Sequence, residues 1–472
     1  MSLLSSLRIG SVSVRHFLSR LRRDISGNVL ILFGFAIVPM AFATGMGIDY
    51  ARAAKLRTKM NALADAAALA GVTQTMMSQD DATATLTARN MFNTQASSLT
   101  GVTYDPSTLV VTITHPTGPG SRTMTVSYSA LSQNSFGGIL GSPTIAIGGT
   151  STSNNVVAPN IDFYMLLDTS PSMLLPATSA GLSAMISATS GAVSGGCAFA
   201  CHQTNLTYSK GVKGVTDNTE LVCDSKNKNC KDFYTVAVNN GIVLRTDLLH
   251  NAVSDLTDLA TSMSSSNKAK YRMGLFSFDK TFKQLWPSVV AAPNVDASLS
   301  TVKLHVTDAQ VLVYCQNNYY KCGTNDNDTA TSFTKAFSGI LGAMPTTPGN
   351  GTNYNGDTPQ AVMFLITDGM WDETRPGGRP EGPISTTQCD TIKARGIRIA
   401  VLYTEYLPDS ASDGWSQTNV KAPYLSPTDK ISPPLQQCAS PGLYTKVTTD
   451  SDISTALAQL FQAAVATARL TN

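Results

Sequence analysis

Residues 163–173 read FYMLLDTSPSM and follow directly on Ile161 and Asp162. The run Phe163–Leu167 carries no charge, the pattern of a strand buried on both faces of a parallel sheet. It then breaks into an acid and alternating oxygen-bearing side chains, Asp168, Ser170 and Ser172. Such residues can cap a turn or the next helix. The same oxygens can also serve a hard divalent cation, which prefers all-oxygen ligand sets.

The chain around this stretch alternates strand and helix patterns. LLHNAVSDLTDLATSM (248–263) places Leu249, Val253, Leu256, Leu259 and Met263 near the helical period. YRMGLFSF (271–278) reads as a strand, SFTKAFSGILGAM (332–344) as a helix and AVMFLITDG (361–369) as a second buried strand. CDTIKARGIRIAVLYT gives helix then strand, and SDISTALAQLFQAAVATARL (451–470) gives a last helix. The alternation predicts an α/β fold with a doubly wound, mostly parallel sheet. Ligands in such sheets sit outside the carboxyl ends of the strands. LITDG puts a second acid, Asp368, at one of those ends. Two acids with two hydroxyls make an oxygen cluster suited to Mg²⁺, or to another divalent cation such as Ca²⁺ or Mn²⁺. With only two carboxylates the ion keeps excess positive charge, which a carboxylate from a protein partner can complete.

This constellation resembles the metal-ion-dependent adhesion site of von Willebrand factor A domains, whose motif is Asp-x-Ser-x-Ser with a distant Thr and Asp. The resemblance implies direct ligation by Ser170 and Ser172, with Asp168 and Asp368 acting through water or hydrogen bonds. It also asks for a Thr in a loop just before a helix. Thr331 has that spacing, although Ala330 replaces the Gly often found before it; Thr324 and Thr352 are its rivals. Thr352 stands too close to the LITDG strand to leave room for an intervening helix.

The N-terminus carries Arg8, Arg15, Arg20, Arg22 and Arg23, and then Val29–Ile48 runs without a charge, the length of one membrane-spanning helix. Ala41-Phe42-Ala43 fits a signal-peptide cleavage site. The apolar run continues past Ala43, so a retained anchor is the expectation. KMNALADAAALAG, with Gly27-Asn28 before the apolar run, looks like the segment that follows the membrane helix in TadE/TadG-like proteins of Tad (tight adherence) pilus assembly. GGCAFACHQ, PGNGTNYNGDTPQAVMFLITDG and LQQCASPGLYTKVTTDSDISTALAQLF are similar to the A-domain part of TadG-like proteins. Prepilin-type processing after Gly27 would favour an acid where Leu32 stands, so the resemblance points to a fixed membrane component of Flp pilus assembly in a Gram-negative bacterium.

All eight cysteines lie beyond residue 196: Cys197, Cys201, Cys223, Cys230, Cys315, Cys322, Cys389 and Cys438. An even set in polar, loop-like sequence reads as disulfides formed in an oxidising compartment. The large C-terminal part is therefore expected in the periplasm or otherwise outside the cytoplasm, with the N-terminus cytoplasmic and the inner membrane crossed once. The resemblance pairs Cys389 with Cys438. Cys197 is left to Cys201, Cys223 or Cys230. A haem reading of Cys197–His202 fails on spacing, with three residues between the cysteines where attachment uses two.

Between anchor and head, residues 80–98 read as a helix capped near Asp80 or Asp81. LVVTITHP and RTMTVSYSA alternate as a hairpin, and PTIAIGGTSTSNN adds a strand before a Ser/Thr/Asn-rich linker ending near Pro159. The expected organisation is a basic leader (1–26), a transmembrane helix (27–49), an Ala-rich helix with a small α+β stalk (50–155) and a von Willebrand factor A-like domain (156–472). A net charge of +2 over 472 residues, with no basic stripe, argues against nucleic acid. GxSxG, HExxH and a phosphate-binding Gly-rich loop are all missing, and Asp372 and Glu373 read as solvated loop acids. A binding protein, not an enzyme, is expected, with a pilus subunit or assembly component as partner. An adhesin head unconnected with pili and a metal-dependent hydrolase are the alternatives.

Overall fold

The structure, a computed structural model, describes residues 26–116, 120–200, 222, 224–226, 231–311, 329–374, 381–412, 414–448 and 450–468. The chain divides into two compact units, Met1–Thr114 with Arg122–Asn155 and His115–Ser121 with Val156–Asn472.

The first unit begins with one continuous helix, Ser26–Ala70, that tolerates Pro39 within it. Its two halves have opposite environments. Val29, Leu30, Phe33, Phe35 and most of their neighbours to Ile48 are exposed. This helix is long and apolar enough to cross a membrane. From Ala53 onward the spacing changes to an Ala-rich stripe, and Ala53, Leu56, Met60, Ala64 and Ala67 are buried. Small side chains on that stripe let the helix Asp81–Ala96 pack closely, through Ala84, Ala88 and Phe92. Asp80 caps that second helix by accepting from the Thr83 amide at 2.6 Å.

Four strands complete the unit: β1 (Val102–Tyr104), β2 (Val110–Thr114), β3 (Ser121–Gln133) and β4 (Thr144–Val156). β1 and β2 pair antiparallel with β3, which also pairs with β4. The stretch expected as the last strand is β4, which ends one residue further on, at Val156. Its hydroxyls are used across the sheet, Thr152 with Thr125 at 3.0 Å and Thr150 with Ser127 at 2.9 Å, and such cross-strand pairs suit an exposed face. Arg122 is buried at the start of β3, where it donates to the Met76 carbonyl at 2.7 Å and the Gln79 carbonyl at 2.6 Å, and pairs with Asp81 at 3.1 Å.

The second unit is built on a six-stranded sheet: β5 (Ile161–Asp168), β6 (Tyr271–Phe278), β7 (Phe282–Trp286), β8 (Gln360–Thr367), β11 (Arg398–Thr404) and β12 (Tyr444–Val447). The spatial order is β12-β11-β8-β5-β6-β7, parallel except for β7, which pairs antiparallel with β6. A two-stranded sheet of β9 (Met370–Asp372) and β10 (Glu381–Pro383) lies apart from it. This is the doubly wound, mostly parallel architecture the alternation predicted. β7 and β12 were not legible as strands, because edge strands bury too little to show an apolar run.

Side chains on β5 divide by parity. Phe163, Met165 and Leu167 enter one core with the helices Arg245–Asn267 and Ile453–Thr467, while Tyr164 and Leu166 enter the other with the helix Phe333–Ala343. β8 does the same, Val362, Phe364 and Ile366 against Met363 and Leu365. Cys389, in the helix Thr387–Ala394, is bonded to Cys438 with their Cα atoms 5.2 Å apart, closing a separation of 49 residues. Cys201, Cys223, Cys230, Cys315 and Cys322 lie outside the described residues, and so do the pairings that involve them.

Closing a loop of this length restricts the unfolded chain by about 4 kcal/mol in the chain-entropy account. Replacing Cys389 and Cys438 together by Ser should therefore lower the denaturant midpoint of the full-length protein in detergent. A midpoint equal to that of the wild type would show that the bond adds nothing.

Candidate functional site

The strand order in the second unit reverses direction between β5 and β8, because the chain winds first toward β6 and later toward β11. Such a switch point leaves a crevice at the carboxyl ends of the two strands, where doubly wound folds bind ligands. Pairing of Leu167 with Ile366 brings both ends level. Asp168 ends β5 and Asp368 follows β8 directly, so acids two hundred positions apart in the chain meet at one rim.

Local hydrogen bonds fix the first acid. Asp168 Oδ1 accepts from the Ser170 amide at 2.9 Å, and Oδ2 accepts from the Thr367 hydroxyl at 2.5 Å. Thr367 Oγ1 in turn accepts from the Gly369 amide at 2.9 Å. Gly369 has φ of +80°, a left-handed conformation that only glycine adopts without strain, and it lets the chain turn immediately after Asp368. The Ser170 and Ser172 hydroxyls stand 2.9 Å apart. Neither is spent on helix capping. Ser170 precedes the 3₁₀ turn Pro171–Leu174 without a side-chain cap bond, and Thr178 caps the helix Ser179–Thr189 instead.

Asp368 is held differently. Both of its carboxylate oxygens are buried with no hydrogen-bond partner among the described residues. Burial pushes its pKa up; the nearby Ser172 hydroxyl, the Arg245 guanidinium and the Met370 amide pull the other way. Asp168 is also fully buried, and desolvation together with the charge of Asp368 raises it to about 7. Arg245 begins the helix Arg245–Asn267, donates to the Glu405 carbonyl and leaves Nη1 without a partner among the described residues. Its charge offsets part of the cost of Asp368 and leaves the pair of acids short of compensation. A divalent cation between carboxylates and hydroxyls would supply the missing charge, so the donor set fits a hard metal ion. Among the described residues no three His, Cys, Asp or Glu side chains gather in a metal-binding group, and a site here has to rely on the hydroxyls.

Thr331 is buried and leads into the helix Phe333–Ala343, as its spacing required. Its amide donates to the Asp372 carbonyl at 3.1 Å and its carbonyl accepts from the Asp372 amide at 2.8 Å, tying it to the segment just past Asp368. No hydrogen bond among the described residues joins its hydroxyl to Asp168, Ser170, Ser172 or Asp368. Thr352 is placed at the opposite end of the sheet: Asn160, which precedes β5, donates its amide to the Gly351 carbonyl. Thr324 lies outside the described residues.

Asp372 and Glu373 are buried, which corrects their reading as solvated acids. The cause is the loop before the helix Phe333–Ala343, which folds over them. Glu373 accepts from the Ser332 hydroxyl at 2.5 Å and the Thr334 hydroxyl at 2.8 Å. Sequence reasoning also passed over Arg245 and Thr367. Thr367 had a signal, since it precedes Asp368 in the same motif; Arg245 had none.

Residues 27–74 match the family described as "Putative Flp pilus-assembly TadE/G-like". No curated protein matches the chain. Among solved structures, the chain is similar to the conserved hypothetical protein BatB from Bacteroides thetaiotaomicron, at 12% identity and a TM-score of 0.32, covering 65% of this chain and 99% of that one. The vWF domain of the type V pili tip protein Mfa5 from Porphyromonas gingivalis is 8% identical with a TM-score of 0.32, covering 66% of this chain and 97% of that one. Proximal thread matrix protein 1 from the mussel byssus, with a zinc-occupied MIDAS motif, is 12% identical with a TM-score of 0.32, covering 66% of this chain and 49% of that one.

Raised carboxylate pKa values make the metal-free site sensitive to pH. Asp168 ionises near 3.8 when unfolded and near 7 when folded, so the unfolded state loses its proton first as pH rises. Stability in chelator should fall between about pH 4 and 7, and Asp168→Asn should flatten that slope. Melting temperatures across this range, with chelator present, read the effect; an equal slope in the variant would contradict it.

Proposed function

We propose that this is a membrane-anchored binding protein of Tad/Flp pilus assembly whose head contacts a protein partner through a divalent cation. Asp168, Ser170, Ser172 and Asp368 would hold the ion, Mg²⁺ or an equivalent such as Ca²⁺ or Mn²⁺, with Thr331 as the further hydroxyl. The observation that carries this reading is the buried Asp368 carboxylate, whose oxygens meet no hydrogen-bond partner in good geometry among the described residues and which stands beside a second buried acid.

The chemistry supports binding over turnover. A bound cation supplies an electrophilic centre with charge left over, and an acidic side chain on a partner is the complementary group. The protein's part is to hold Asp168 with the Ser170 amide and Thr367 hydroxyl, and to present two serine hydroxyls at the rim. Glu373, an acid on the segment that follows Asp368, is engaged by Ser332 and Thr334 and is not poised as a general base. The match over residues 27–74 supports the pilus context. The Cys389–Cys438 bond supports an extracytoplasmic head with a cytoplasmic N-terminus, since such bonds persist in oxidising compartments.

A ligand of the native state alone stabilises it, by about 2.7 kcal/mol at a hundredfold excess over Kd. Adding Mg²⁺ to chelator-treated full-length protein should raise its melting temperature and leave Asp368→Asn unmoved. In chelator Asp368→Asn should melt at or above the wild type, because it removes an uncompensated buried charge. Equal Mg²⁺ responses in both proteins would refute the metal reading.

A further inference from the structure

The turn between β3 and β4 is apolar, exposed and held against the long N-terminal helix. It reads Asn134-Ser135-Phe136-Gly137-Gly138-Ile139-Leu140-Gly141-Ser142, and no charged residue occurs between Arg122 and Asp162. Ile139 is 72% exposed and Leu140 54% exposed at its tip, the kind of side chain a water-facing turn seldom carries in pairs.

Its position is fixed by Asp49, a buried acid one residue past the uncharged run Val29–Ile48. The Asp49 carboxylate accepts from three successive turn amides, Ser135 at 2.8 Å, Phe136 at 2.9 Å and Gly137 at 2.7 Å. Arg52 adds a bond to the Ser135 hydroxyl at 3.3 Å. Phe136 lies against Gly45, where an added Cβ would come within 2.5 Å of its ring. Gly45 is three residues inside the apolar run, a depth of about 5 Å at the helical rise.

We infer that this turn enters the outer leaflet interface beside the anchor, as a second point of membrane contact. The inference rests on the reading of Val29–Ile48 as a membrane span. Continuity with that span selects lipid as the occupant: the turn shares the helix's depth and apolar surface. Tyr50, exposed on the helix, stands where an interfacial aromatic belongs. The turn is also prepared for a medium poor in water, because its backbone is bonded internally. Ile139 donates to the Phe136 carbonyl at 3.1 Å, Ser142 to Gly137 at 2.9 Å and Asn134 to Pro143 at 2.9 Å. Unbonded amides would oppose entry. An insertion depth of about 5–10 Å is typical of interfacial apolar elements. Two membrane contacts on one rigid unit would fix the tilt of the stalk, which a single helix leaves free.

The test uses full-length protein reconstituted in phosphatidylethanolamine/phosphatidylglycerol vesicles with or without brominated acyl chains. Single substitutions place tryptophan at the tip (Ile139→Trp), in the span (Leu32→Trp) and at the far end of β2 (Thr114→Trp), each measured against the wild-type background. Quenching of the added emission by brominated lipid at both Ile139→Trp and Leu32→Trp, with none at Thr114→Trp, is expected. Quenching at Leu32→Trp alone overturns the turn's insertion and leaves the anchor intact. Quenching at neither overturns both. Blue-shifted emission from Ile139→Trp that brominated lipid does not quench also overturns it, and would mean that protein covers the turn.

Discussion

The head depends on the double burial of β5. Every residue from Ile161 to Asp168 is buried, and the two-residue period of a strand sends Phe163, Met165 and Leu167 to one core and Tyr164 and Leu166 to the other. A register slip of one residue against β8 would exchange the two sets and put rings where the facing helices leave no space. The register is therefore fixed, and with it the level at which β5 and β8 end. The meeting of Asp168 and Asp368 is a consequence of packing in the middle of the sheet, well away from the rim itself.

Buried polar groups recur through the protein, and their satisfaction separates structure from function. Asp49 is buried with three amides donating to it, and Arg122 is buried against carbonyls and Asp81. Both organise the first unit and demand nothing from outside. Asp368 is buried to the same degree, and its oxygens have no hydrogen-bond partner in good geometry among the described residues. Desolvating a carboxylate without compensation is costly, and among the described residues only Arg245, the Ser172 hydroxyl and the Met370 amide stand near enough to lower that cost. That contrast, rather than acidity alone, sets the rim apart from the other buried charges.

The helices and strands with strong apolar periodicity were readable residue by residue. Leu249, Val253 and Leu256 fell on the buried face of their helix, and IDFYMLLD and AVMFLIT were both central strands. The edges were harder. β7 and β12 are short and partly exposed, so neither shows an apolar run. Glu373 looked solvated because nothing nearby in sequence reveals that Ser332 and Thr334, some forty positions earlier, fold onto it.

The sequence by itself determined the apolar anchor, the alternation that makes a doubly wound sheet and the residue types at the rim, since each is a property of composition or of a local period. Only the tertiary structure decided that Asp168 and Asp368 share one switch point, that Arg245 stands near them and that Asp49 clasps a turn some ninety positions away. These depend on strand order, register and desolvation, which arise between segments distant in the chain and are carried by no segment alone.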